Sequence, residues 1–69
     1  MKFESTGAAI EFGKSASKAQ IEQLKKQHVI GSKVFDTLYN SGRINYDFLM
    51  RIATDCQFIR EAIEASQYN

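Results

Sequence analysis

The sequence predicts an α+β fold, in which a short N-terminal β-hairpin or strand packs on three α-helices at about 18–29, 33–40 and 46–65. Three observations carry this. Apolar and polar residues alternate through Met1–Phe12, helix-start signatures stand at Ser17 and Asn45, and a long apolar stripe runs through the last third of the chain. At 69 residues the chain is a single small domain, residues 1–69.

The first element follows from the alternation. A turn at Thr6-Gly7 pairs Phe3 with Ile10 and Lys2 with Glu11, placing Met1, Phe3, Ile10 and Phe12 on one face. A single strand at Ala8–Phe12 is the simpler alternative. A two-stranded ribbon is marginal alone, so its apolar face must lie on helices, and its outer edge stays open to a further strand.

The helices follow from their caps. Ser17 with Gln20 three residues on forms a capping box, with Glu22 placed to pair with Lys26 one turn later. Ile21, Leu24 and His28 make a thin stripe, and Gly31 is a natural stop. Ser32 then caps a short helix bearing Val34, Phe35, Leu38 and Tyr39, closed by Asn40-Ser41-Gly42. Asn45 caps the last helix, where Ile44 and Leu49 are spaced for a hydrophobic staple and Asp47 suits the helix dipole. Leu49, Ile52, Cys56, Ile59 and Ile63 recur at alternating steps of three and four, a narrow seam for packing.

Composition limits the function classes. A chain this short buries only about 60% of its unfolded surface. Cys56 has no second cysteine to bridge with, and Cys56 with His28 cannot fill a zinc site, so no metal and no cofactor are expected. With one histidine and no motif around it, an enzyme is not expected either. Self-association is the remaining staple, and a homodimer is expected. No run of 18 apolar residues and no leader-like N-terminus occur, which points to a cytoplasmic protein with no membrane contact.

Two binding readings remain. On a helical wheel Phe58 lies about 140° from the centre of the Leu49–Ile63 stripe. Around it stand Arg51 and Ala62, an aromatic flanked by an arginine and small residues, as partner-binding patches often are. With Tyr39 these residues make the first reading: a non-enzymatic regulator or inhibitor that occludes or bridges a protein partner. Stand-alone domains of this size are common among regulators encoded by phages and other mobile elements.

The second reading concerns residues 20–54, where a helix, a tight connection at 29–32, a short helix, a turn and a further helix follow one another. That order loosely resembles the phage-repressor type of helix-turn-helix domain. The resemblance implies a DNA-binding regulator whose short helix reads bases through Lys33, Thr37 and Asn40, with Arg43 near a phosphate. It ranks second, because a net charge of +1 and Asp36 on the reading helix give little phosphate attraction.

Overall fold

The computed structural model describes residues 2–42 and 45–67, and all of its regular structure is helical. The elements are α1 (Thr6–Ser15), α2 (Lys18–Asn40) and α3 (Tyr46–Gln67). Among the described residues there is no strand, so the fold is a three-helix arrangement and not α+β.

The predicted hairpin is therefore corrected. Ser5, expected beside the turn, is instead an N-cap whose hydroxyl accepts from the Ala8 amide at 3.1 Å. Thr6 and Gly7, expected to reverse the chain, form the first helical turn. Helical spacing of Ala9, Phe12, Gly13 and Ala16 supplies a packing face: Ala9 and Gly13 are buried, with Phe12 and Ala16 against the core. Phe3 folds back so that its ring meets Phe12 at 5.3 Å between centroids and 60° between planes. With no ribbon, the open strand edge expected as a second binding surface does not exist in the described residues. Met1, one of the expected ribbon residues, lies outside them.

The second correction concerns the middle of the chain. Helices expected at about 18–29 and 33–40 are one helix, α2, of 23 residues. Its start is as predicted: Ser17 accepts from the Gln20 amide at 3.2 Å, and Gln20 Oε1 accepts from the Ser17 amide at 2.8 Å. Gly31 does not stop it. The chain continues because Ile21, Leu24, His28, Gly31, Phe35 and Leu38 form one unbroken seam of alternating three- and four-residue steps. The stop falls at Ser41 and Gly42, where Gly42 takes φ +76°, the left-handed geometry that closes helices. Ser41 caps the end, its amide donating to the Thr37 carbonyl at 3.0 Å and its hydroxyl to that of Leu38 at 2.8 Å. Continuity across 29–32 removes the corner between two helices on which the helix-turn-helix resemblance rested. His28 accordingly sits mid-helix, away from any helix terminus, and Glu22 pairs with Lys25 at 3.5 Å, one position before Lys26.

The third helix starts as expected, with Asn45 Oδ1 accepting from the Phe48 amide at 3.2 Å. The Ile44 half of the expected staple lies outside the described residues. α3 turns back along α2 as an antiparallel hairpin, and α1 packs on α3 near the hairpin's open end. The core cluster sits there: Ala9, Ile21, Leu24, Ile59 and Ala62 are buried, with Leu49 buried apart from it, and among the described residues only Leu24 of the large side chains is fully enclosed. Two close approaches set the geometry. A Cβ on Gly13 would stand 2.1 Å from the Ala62 carbonyl oxygen, so glycine alone lets α1 and α3 touch backbone to backbone. A Cβ on Gly31 would stand 2.7 Å from Cys56 Sγ, so the sulfur takes the space that a side chain at 31 would need.

Candidate functional site: the closed end of the hairpin

The core occupies one end of an elongated molecule, 41 × 20 × 17 Å, and leaves the other end thinly covered. Beyond the reach of α1 the α2–α3 hairpin is two helices with no third layer. Leu49 is buried there at 5% exposed, but many of its apolar neighbours face water: Ile30 is 62% exposed, Val34 40%, Tyr39 58%, Tyr46 71%, Phe48 48% and Met50 62%. Exposed apolar groups so clustered on a small chain mark a surface meant to be covered.

Helical geometry sorts these residues onto two faces. On the face that carries α1, an open groove of about 340 Å³ runs between Gln27, Ile30 and Gly31 of α2 and Ile52, Asp55 and Ile59 of α3, with Lys2 at its near end. Val34, Leu38 and Phe48 continue this face toward the closed end of the hairpin. On the opposite face a groove of about 210 Å³ lies between Ser32, Phe35 and Asp36 of α2 and Ile52, Ala53 and Cys56 of α3. Tyr39 and Tyr46 extend this second face, and the Tyr39 ring stacks on Phe35 at 6.2 Å and 10°. Farther along it, His28, Ala53, Cys56, Gln57 and Arg60 line a more polar groove.

The residues singled out from the sequence do not form one patch. Ala62 is 0% exposed beneath Gly13, and Phe58 is half-buried against the core cluster beside α1. Their side of α3, expected to face a partner, is the seat of the chain's own first helix. Arg51 is exposed on the face that carries α1, and Tyr39 is exposed on the other. Lys33, Thr37 and Asn40 are exposed along α2, where Lys33 and Thr37 border a shallow apolar groove with Val34 and Leu38. Arg43 lies outside the described residues. Sequence reasoning missed Tyr46, Phe48, Met50, Ile30 and Val34 as surface. The available signal was that their helices carry more apolar side chains than a single seam can bury.

Little in this surface is suited to chemistry. Among the described residues no three His, Cys, Asp or Glu side chains gather as a metal site. Burial pushes the Cys56 thiol above its ordinary value of 9.0, the Asp55 carboxylate adds to the shift, and a hydrogen bond from Ser32 partly opposes it. That thiol is therefore a poor nucleophile. Among the described residues, no helix is long and apolar enough to cross a membrane. Neither a family model, nor a curated protein, nor a solved structure matches the chain.

Proposed function

We propose that this chain is a non-enzymatic protein-binding module that occludes or bridges a protein partner through the tyrosine-bearing face at the closed end of the α2–α3 hairpin. One observation carries the reading: Tyr39, 58% exposed, stacks on Phe35 of a groove also lined by Ile52 and Ala53, and Tyr46, 71% exposed, stands two helical turns before Ala53 on the same side of α3. Tyrosines suit partner contacts because each offers a rigid apolar ring and a hydroxyl for a polar rim. The groove takes apolar side chains, and Asp36 and Ser32 at its edge offer hydrogen bonds to the partner's backbone or to a cation. Phe58 and Ala62 drop out as contact residues, whereas Tyr39 stays.

The test compares tagged wild type with the Tyr39→Ala, Tyr46→Ala double variant in cells of the source organism. A protein should co-purify in fixed ratio with the wild type, survive nuclease and 0.5 M salt in the wash, of the order that screens exposed charges, and be lost from the variant at unchanged melting temperature. Recovery of nucleic acid with a steep salt dependence would overturn the reading.

A further inference from the structure

The face that carries α1 makes a separate case, with its own occupant. We infer that the apolar patch of exposed Ile30, Val34 and Phe48 with part-buried Leu38 and Ile52 is covered by the same patch of a second copy of this chain, in a head-to-tail twofold dimer.

The area argument comes first. A compact monomer of 7.8 kDa exposes about 4,400 Å² by the surface–mass relation, whereas this chain exposes 5111 Å². Its radius of gyration is 12.8 Å, against about 11 Å for a compact domain of this length. The excess, about 700 Å², belongs to the whole elongated chain, and the patch is the uncharged part of it on this face. The five patch residues carry no charge, as the centre of a dimer interface requires.

Sterics then select the orientation. α1 already occupies the open-end half of this face, so two copies laid side by side in the same direction would collide at their first helices. Turned end for end about a twofold axis across the patch, each copy sets its α1 beyond the other's closed end. α2 then crosses the partner copy's α2 and α3 its α3, both antiparallel, giving a four-helix layer at the centre.

Charge placement agrees with that orientation. Arg51 and Asp55 stand one turn apart on the same edge of α3, the second half-buried and lining the groove. Under an antiparallel twofold axis through the patch, each Arg51 meets the other copy's Asp55. Two opposite charges spaced by one turn are self-complementary only when the helices run antiparallel. On α2 the corresponding edge carries exposed Lys33 and Thr37 beside Val34 and Leu38, a positive charge that stays at the solvent rim of the interface.

Sedimentation equilibrium of the full chain tests this. The wild type should run at twice 7.8 kDa at high concentration and dissociate on dilution. Val34→Asp should raise the dissociation constant by about a hundredfold while circular dichroism stays helical. Arg51→Asp and Asp55→Arg should each weaken the dimer by about threefold to tenfold, and the double variant should regain most of the loss. A wild type that stays monomeric at millimolar concentration overturns the inference. So does a dimer indifferent to Val34→Asp, or a double charge variant no better than the singles. Tyr39 and Tyr46 lie on the other face, so their variants leave the dimer intact, and the two proposals fail independently.

Discussion

Gly31 shows how one residue shapes the contact between two helices. Its missing side chain is filled by Cys56 Sγ, so any Cβ there must displace the sulfur. Gly31→Ala should therefore destabilise the fold by about 1–3 kcal/mol, although alanine favours helix over glycine by about 1 kcal/mol. In the Gly31→Ala, Cys56→Ala double variant the new methyl takes the vacated space, and chemical denaturation should show most of the loss recovered. A double variant as weak as Gly31→Ala alone would mean that the backbone, and not the sulfur, sets the distance. The same cysteine gives a pH signature. Because its folded value is raised, the protonated thiol favours the native state fully below the ordinary thiol value of 9.0, and that contribution is lost as pH climbs through the raised one. Cys56→Ala should flatten this decline in stability at alkaline pH.

Between α1 and α3 the contact is tighter still and cannot be relieved by a side-chain exchange. The atoms facing Gly13 belong to the Ala62 backbone, so Gly13→Ala should cost about 3 kcal/mol or more and detach α1. The readout is hydrogen exchange: amides of residues 6–15 should lose protection while those of α2 near Leu24 weaken less. Phe58 belongs to the same contact. Packed against the core, it should lower the melting temperature when changed to alanine, by about 2 kcal/mol of stability for a half-buried ring. How far these elements were legible depends on which signal the sequence carries. Caps are local, so Ser17–Gln20 and Asn45 announced their helices without help from the rest of the fold. The N-terminal segment is ambiguous, because Phe3, Ile10 and Phe12 fit an alternating period while Ala9, Phe12, Gly13 and Ala16 fit a helical one. The second pattern is easily underweighted, since alanine and glycine contribute little hydrophobicity and their value lies in permitting backbone contact. Gly31 misleads for the same reason: as a local signal it ends a helix, and only its neighbour across the crossing explains why the helix continues. The binding faces were least legible, because which side of α3 remains free depends on where α1 docks.

At the scale of the whole molecule the core lies at one end and the unburied apolar surface at the other. Among the described residues few large side chains are enclosed, and domains of this size have little surplus over conformational entropy. Association adds to folding by mass action. The thermal midpoint of the wild type should therefore rise with protein concentration, by several degrees per hundredfold, whereas Val34→Asp should melt at one temperature throughout. A concentration-independent wild type would place all of the stability in the three-helix core.

The two glycine contacts also bear on ancestry. Side chains on an exposed helix face drift freely, but a residue pressed against another backbone can change only to something as small. Residues 13 and 62 are so confined, and residue 31 is confined by the Cys56 sulfur, whereas the tyrosines and the patch are free to follow whatever they bind. Distant kin of this chain would then be recognisable less by overall similarity than by a spacing. It consists of a small residue in a first short helix, another 18 positions on in the middle of a long one, and a third 31 positions beyond that, each where a bulky side chain would push two helices apart.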